Sequence, residues 1–175
     1  MRFICKLLAF ILRFVGRCAI IHHERMITMN FKRKIYSDLL EWKNNSKGEK
    51  ALMIEGARRI GKSTIVEEFA KNEYQSYILI DFNDASEVVK DAFNKYLNDL
   101  DTFFLILSTE YNIRLYPRKS IIVFDEVQQY PKARQSIKKL VKDGRYDYIE
   151  TGSLISIKEN VKDITIPSEE RKIKM

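Results

Sequence analysis

The chain has 175 residues, of which 45% are hydrophobic and 31% are charged. This length accommodates one domain with a short appendage, and the apolar fraction is large enough to fill a core, which excludes an intrinsically disordered chain. The net charge of +7 excludes neither a nucleic-acid partner nor a nucleotide as the sole ligand.

Residues 1–29 form a basic and apolar extension that we expect to lie outside the fold. Its apolar part is long enough to suggest a membrane span, but Lys6, Arg13 and Arg17 interrupt it. Each of these cations would cost about 2.5–3.5 kcal/mol near a bilayer centre, so the sequence predicts no transmembrane span. The cations fall on one side of a helix, and contact of residues 1–21 with a membrane surface is the alternative interpretation.

The two cysteines of the chain, Cys5 and Cys18, both fall in this extension. Their spacing does not match a metal site, and the rest of the chain has no cysteine. A secreted disulfide framework is therefore excluded, and we expect a cytoplasmic protein.

From residue 30 onward, helical and strand-like segments alternate. The expected helix N-caps include Ser86 and Asp101. Because the strand segments are short and apolar, they predict a mostly parallel sheet with helices on both faces, a three-layer α/β/α domain over residues 30–175. The predicted helices cover residues 34–43, 61–72, 86–98, 101–111 and 131–141, and the predicted strands cover residues 51–55, 77–82, 120–125 and 146–151.

Residues 56–63, GARRIGKS, match the phosphate-loop pattern G-x-x-x-x-G-K-[ST]. Glycines permit a tight loop whose backbone N–H groups point at phosphate oxygens, and the helix that follows presents its positive N-terminus. Lys62 is expected to reach the β- and γ-phosphates, and Ser63 is expected to offer its hydroxyl to Mg²⁺. We interpret Arg58 and Arg59 as solvated, with contact to the nucleotide or a neighbouring subunit as the alternative. The candidate nucleotide-binding residues are Gly56, Ala57, Arg58, Arg59, Ile60, Gly61, Lys62, Ser63 and Thr64.

The strand at residues 120–125 ends in two adjacent acids, Asp125 and Glu126. The carboxyl ends of parallel strands are where open α/β sheets bind ligands. We predict that Asp125 holds Mg²⁺, largely through water, and that Glu126 orients and deprotonates the attacking water. The adjacent glutamate indicates the P-loop ATPases that carry an extra strand between the loop strand and the acid strand. The strand at residues 146–151 is expected to be this insert.

The end of that strand, Thr151-Gly152-Ser153, is expected to place a hydroxyl near the γ-phosphate. Thr151 is the first candidate for this catalytic sensor and Ser153 is the second, with a plain turn as the alternative. Asp81, at the end of the second strand, is interpreted as a strand-end cap, and support of the acid pair is its alternative role. The GTPase signature N-K-x-D is absent from the sequence, so ATP is the expected nucleotide.

Three ordered segments resemble the prokaryotic AAA-type ATPases whose ATPase domain precedes a DUF4143 C-terminal region: GARRIGKST, IIVFDEVQQYPKAR and YDYIETGSLIS. The resemblance covers residues 30–175 and implies an AAA-like P-loop fold that binds ATP and Mg²⁺. Such proteins continue with a lid and further parts, so we expect this domain to be C-terminally incomplete, ending near its fifth strand. The residues that the resemblance assigns to the phosphate loop, the acid pair and the sensor are Gly61, Lys62, Ser63, Asp125, Glu126 and Thr151–Ser153.

These observations favour Mg²⁺-dependent ATP hydrolysis. A nucleotide-binding module with little or no hydrolysis, a P-loop kinase and a DNA-associated ATPase are the alternatives. A homo-oligomer, a client protein and DNA remain open as partners.

Overall fold

The computed structural model describes residues 34–153 and 170–175 of the chain. No end of a predicted helix or strand lies more than three residues from its position in the structure. The helices are α1 (Lys34–Ser46), α2 (Lys62–Glu73), α3 (Glu87–Lys95), α4 (Leu100–Glu110) and α5 (Pro131–Asp143), with a 3₁₀ turn at Val127–Gln129. The strands are β1 (Ala51–Gly56), β2 (Ser76–Asp81), β3 (Ser120–Asp125), β4 (Asp147–Ser153) and β5 (Glu170–Lys174).

The five strands form one sheet in the order β2-β3-β4-β1-β5, and every pairing is parallel. The strand that follows the acids, β4, lies between β1 and β3, as predicted. In register, Met53 of β1 lies between Glu150 of β4 and Lys172 of β5. Among the described strands, this order places β1 near the centre of the sheet and β5 at its edge.

Apolar side chains cover both faces of the sheet because successive residues of a strand point to opposite sides. On one face, Leu52, Ile54 and Val123 pack with buried residues of α1 and α2. On the other face, Met53 and Phe124 pack with buried residues of α3, α4 and α5. The predicted three-layer α/β/α fold with a parallel sheet is therefore confirmed.

The α1–α2 layer contains the single tryptophan of the chain. Trp42 is fully buried, and its indole N–H donates to the carbonyl oxygen of Lys50 at 3.0 Å. Tyr36 of the same helix meets Phe69 of α2 edge to face, with ring centroids 5.6 Å apart. These contacts fix α1 both to α2 and to the residue that precedes β1.

An aromatic cluster in the opposite layer holds the segment that follows the acid pair. Tyr130 stacks on Phe82 at a centroid distance of 5.4 Å and meets Phe93 of α3 at 6.0 Å. Its hydroxyl donates to the carbonyl oxygen of Lys90 at 3.1 Å. The segment between β3 and α5 is therefore fixed at Tyr130, the residue that directly precedes α5.

The two predicted helix caps differ in outcome. Ser86 caps α3, accepting a hydrogen bond from the Val89 N–H at 3.3 Å. The prediction that Asp101 caps the next helix is wrong. The helix begins earlier, at Leu100, and the Asp99 carboxylate accepts from the Thr102 N–H at 3.2 Å, the contact that defines an N-cap.

The expected extension at residues 1–29, with its membrane-surface alternative for residues 1–21, lies outside the described residues. The boundary of the domain at residue 30 therefore stays a prediction. Among the helices that the structure describes, none has the combination of length and apolar character that crossing a bilayer requires.

Candidate functional site

The candidate site lies where three neighbouring strands end on the same edge of the sheet. β1 ends at Gly56, β3 ends at Asp125 and β4 ends at Ser153. Gly56 and Ser153 are register partners, and β3 is the other neighbour of β4. The structure therefore brings the glycine-rich loop and the acid pair together at the middle of this edge.

Two left-handed residues shape the loop between β1 and α2. Arg59 has a φ of 64° and Gly61 has a φ of 87°. Left-handed residues in a turn allow successive backbone N–H groups to point into one concavity, which is an anion-binding arrangement. At Gly56 the requirement for glycine is steric and not conformational. A Cβ atom there would lie 2.6 Å from Cδ1 of Ile60 and 2.8 Å from the carbonyl oxygen of Met175.

The amino group of Lys62 is held inside this loop. Its Nζ donates to the carbonyl oxygens of Gly56 at 3.2 Å and Ala57 at 2.8 Å, and the residue is only 4% exposed. Within residues 34–153 and 170–175, no carboxylate forms an ion pair with it. Carbonyl dipoles do not neutralise a full positive charge, so the loop contains a buried cation for which the described residues supply no counter-charge.

The first turn of α2 faces the same loop. Its N-cap, Gly61, has no side chain that could bond the first-turn N–H groups. Those N–H groups and the positive end of the helix dipole can therefore be offered to an anion. Ser63 is half-buried and Thr64 is exposed, so both hydroxyls are accessible at this turn.

Asp125 is the corresponding buried anion at the tip of β3. It is 5% exposed, and its Oδ1 accepts a hydrogen bond from the hydroxyl of Thr151. Among the described residues, no lysine, arginine or histidine pairs with it. One edge of the sheet thus holds a buried positive and a buried negative group, each without a partner of opposite charge in the described part of the chain.

Glu126 follows in a left-handed conformation, with a φ of 51°. A non-glycine residue in this conformation is uncommon and is enriched at functional positions. Its N–H donates to the Thr151 hydroxyl oxygen at 3.3 Å, and its carboxylate accepts from the side-chain amide of Gln128. Sequence reasoning missed Gln128, for which the sequence carries no local signal.

The sensor candidates lie on a strand and not in a turn. Thr151, Gly152 and Ser153 are the last three residues of β4. Thr151 is completely buried, and its hydroxyl lies between the Asp125 carboxylate and the Glu126 N–H. Ser153 is two residues nearer to the tip of the strand, opposite Gly56.

Four further residues that the sequence analysis considered lie around this edge. Arg58 and Arg59 of the loop are exposed, which agrees with their interpretation as solvated side chains, and Ala57 is exposed beside them. Asp81 caps the turn after β2, since its Oδ1 accepts from both the backbone N–H and the side-chain amide of Asn83 at 2.8 Å.

The available groups fit a nucleoside triphosphate with Mg²⁺. The cationic loop and the helix N-terminus suit phosphate groups. Asp125 suits a cation, since no described residue of opposite charge pairs with it. In the described residues, no three His, Cys, Asp or Glu side chains form a metal cluster. That finding is compatible with Mg²⁺, which keeps several waters and binds through one or two carboxylates together with substrate phosphates. Ser63 and Asp125 are the residues that would hold it.

Comparison with known proteins gives one family. A family model described as an AAA domain matches residues 48–171. The chain is similar to the structure of PCH-2 from C. elegans, at 14% identity and a TM-score of 0.45, over 83% of this chain and 42% of that one. It is also similar to the Hef helicase domain of Pyrococcus furiosus, at 13% identity and a TM-score of 0.36, over 82% and 38%. The chain thus spans less than half the length of either structure, and no curated protein matches its sequence.

Proposed function

Since the chain belongs to the AAA domain family, which implies nucleotide binding, we propose that it binds ATP and hydrolyses it in a Mg²⁺-dependent reaction. The observation that carries this proposal is the pair of buried, oppositely charged side chains, Lys62 and Asp125, which meet no counter-charge in the described residues. A triphosphate would supply the missing anion for the first, and its metal would supply the missing cation for the second.

In the proposed complex, the triphosphate lies against residues 56–64. The backbone N–H groups of the loop and of the first turn of α2 donate to phosphate oxygens. Lys62 leaves the carbonyl oxygens of Gly56 and Ala57 and donates to the β- and γ-phosphates. Ser63 and Asp125 hold Mg²⁺, which would neutralise charge on the phosphates when it is bound.

Glu126 is the proposed general base for hydrolysis. Its carboxylate accepts a proton from water as the water oxygen bonds to the γ-phosphorus and the bond to the ADP oxygen breaks. The Gln128 amide, which donates to this carboxylate, either orients it or must release it before it can take the proton. Thr151 keeps its predicted role as sensor, with support from its hydrogen bonds to both acids.

Binding without turnover is the second candidate function. The observation that favours it is the same Gln128–Glu126 bond, because a carboxylate oxygen that accepts from the Gln128 amide is not free to accept from an attacking water. Tight ATP binding without phosphate release by the wild-type chain would support this alternative against hydrolysis.

The wider setting of the site is also proposed. We place the domain in a larger prokaryotic protein of the DUF4143 type. Three kinds of partner fit such a domain: further copies of the same chain, one of which supplies an arginine to its neighbour, a client protein, or DNA. A cytoplasmic location belongs to the same proposal. Steep loss of DNA affinity with added salt would support the DNA-associated form.

Two variants test the central proposal. Lys62→Ala should raise the Kd for a fluorescent ATP analogue by about tenfold or more, since a charged hydrogen bond to phosphate is lost. Lys71→Ala, which removes an exposed lysine from the far end of the same helix, is the matched control and should leave the Kd unchanged. Equal Kd values for wild type and Lys62→Ala would contradict the proposed binding mode.

The hydrolysis step is tested separately. Glu126→Gln should retain ATP binding while phosphate release falls by about 10²–10⁴-fold, the usual contribution of a general base. Turnover equal to that of the wild type would remove Glu126 from this role and leave the binding proposal standing.

A further inference from the structure

The edge strand β5 is attached to the rest of the domain by ion pairs. Three consecutive residues each reach a different element: Glu170 pairs with Arg134 of α5 at 2.9 Å, Arg171 pairs with Glu41 of α1 at 3.1 Å, and Lys172 pairs with Glu55 of β1 at 3.3 Å. The first of these pairs is buried and the other two are partly exposed. The Arg134–Glu170 pair is therefore the one in which loss of a partner would be most costly.

Arg134 is the centre of a buried ionic cluster between α5 and the sheet. Its Nη2 lies 2.9 Å and 3.3 Å from the two carboxylate oxygens of Glu170, and its Nη1 lies 3.4 Å from Glu150 of β4. The arginine side chain is 1% exposed and both glutamate side chains are 0% exposed. One guanidinium thus connects α5, β4 and β5 inside the core, where removal of a single partner leaves charge that water cannot solvate.

Two of these elements directly support the candidate site. Glu150 immediately precedes Thr151, whose hydroxyl contacts both Asp125 and Glu126. β5 runs beside β1, and the N–H of Met175 donates to the carbonyl oxygen of Glu55 at 2.9 Å.

The end of β5 also limits the room at the start of the phosphate loop. The carbonyl oxygen of Met175 lies 2.8 Å from where a Cβ atom of Gly56 would be, so the backbone of one residue packs directly on the other. Displacement of β5 would remove one wall of the loop at its first residue.

Resting on the proposed nucleotide binding, we propose that Arg134 is a positioning residue of this site: through Glu170 and Glu150 it holds β5 against β1 and β4 in place, and thereby fixes the start of the phosphate loop. It contacts no nucleotide. Loss of Arg134 should therefore loosen β5 and weaken nucleotide binding together, while the rest of the sheet stays intact.

The first experiment combines hydrogen exchange with nucleotide binding on the 175-residue chain. Arg134→Met should speed exchange of the β5 amides without changing β2 and β3, and should raise the Kd for a fluorescent ATP analogue by about tenfold or more. Glu170→Gln, which retains the guanidinium and a polar partner for it, is a milder second variant that should shift both readouts in the same direction. Both readouts are taken well below the unfolding midpoint of each variant, so that global stability does not contribute.

A rescue and a control separate positioning from a general structural effect. The triple variant Arg134→Met, Glu150→Leu, Glu170→Leu removes all three ionisable side chains at similar volume, and it should bring the Kd back to within about threefold of wild type. Arg171→Met removes an ion pair of the same strand that is exposed, and it should leave both readouts unchanged.

The outcomes are distinct. Faster β5 exchange with an unchanged Kd in Arg134→Met, or an unchanged β5 exchange, would overturn this inference and leave nucleotide binding in place. Failure of the wild-type chain to bind nucleotide would overturn the proposed function and this inference with it. A triple variant that folds with slow β5 exchange and still binds weakly would show that the arginine acts directly and would overturn the positioning role.

Discussion

At the scale of single residues, the site can be understood from two charges that the described fold leaves unbalanced. Lys62 and Asp125 are both almost fully buried, and the contacts that they do make are hydrogen bonds to neutral groups. A buried charged side chain without a partner of opposite charge lowers the stability of the ligand-free protein. Such a loss of stability is common at functional sites that are preorganised for a ligand.

Asp125→Asn should make the ligand-free protein more stable. The amide retains an oxygen that can accept the Thr151 hydroxyl but removes the buried charge, so we expect a gain of roughly 0.5–2 kcal/mol in the free energy of unfolding. Urea unfolding without nucleotide measures it, and Asp91→Asn on the exposed face of α3 is the control. A loss of stability in Asp125→Asn would show that the carboxylate is well accommodated without a cation.

The identities of the loop residues and of the acid pair could be proposed from the sequence because each lies in a local pattern with a physical reason. Gln128 could not, since its contact with Glu126 depends on the left-handed backbone at that glutamate. No local sequence pattern indicates the packing of Met175 on Gly56, because the two residues are far apart in the sequence.

At the scale of elements, the helices and strands were largely predictable because each carries its own periodicity and end signals. The exception is the start of α4, where Asp99 and Asp101 are both suitable capping residues and only two positions apart. The choice depends on where the first helical turn forms, and here Leu100 belongs to the helix. Asp101 instead pairs with Arg145 at the surface, at 2.5 Å.

Replacing the two aspartates in turn tests this assignment. Asp99→Ala should lower the unfolding midpoint more than Asp101→Ala, because the first variant leaves the Thr102 N–H without its acceptor and the second removes only an exposed ion pair. Thermal unfolding of both variants under one buffer condition gives the comparison. A lower unfolding midpoint for Asp101→Ala than for Asp99→Ala would indicate that Asp101 is the N-cap of α4.

The ionic cluster that joins α5, β4 and β5 should make stability depend on pH. Burial raises the pKa of Glu150 to about 8 from an ordinary value of 4.5, and Arg134 opposes this only in part because it pairs more closely with Glu170. One guanidinium faces two carboxylates, so a proton on Glu150 balances the charge of the cluster. Between these two pKa values the folded state therefore holds a proton that the unfolded state has released.

It follows that stability should fall as the pH rises through this range. The contribution of Glu150 is fully present below the unfolded pKa and is lost as the pH passes the folded pKa. Urea unfolding at about pH 5.5, 7 and 8.5 measures the slope, which Glu150→Gln should reduce and Glu87→Gln, at an exposed position, should not. Stability that is flat or rises with pH in the wild type would contradict the protonated cluster.

At the scale of the whole molecule, the strand order explains how distant motifs form one site. The insertion of β4 between β1 and β3 was predictable from the glutamate that directly follows Asp125, which marks ATPases with the extra strand. The way β5 is held was not predictable, because its charged side chains look solvated in the sequence and acquire buried partners only when α5 packs on the sheet. Long-range charge pairing of this kind has no periodicity that a sequence could reveal.

If the site binds nucleotide, the whole fold should gain stability from it by mass action. At a free Mg²⁺–ATP concentration of about 100 times the Kd, the free energy of unfolding should rise by about 2.7 kcal/mol. Denaturant unfolding with and without nucleotide measures this increase. A tenfold or larger rise in Kd in Lys62→Ala should reduce it to about 1.4 kcal/mol or less at the same nucleotide concentration. An equal increase in that variant would place the bound nucleotide elsewhere on the protein.

The solitary Trp42 gives the protein an internal optical reporter with a defined location. Its indole is buried on the α1–α2 side of the sheet. Its fluorescence emission therefore changes when water enters that layer and does not report on the α3–α5 layer. Circular dichroism averages over every helix. Coincident fluorescence and dichroism curves would mean that both layers melt as one cooperative unit, whereas separated curves would reveal that one side of the sheet can open first.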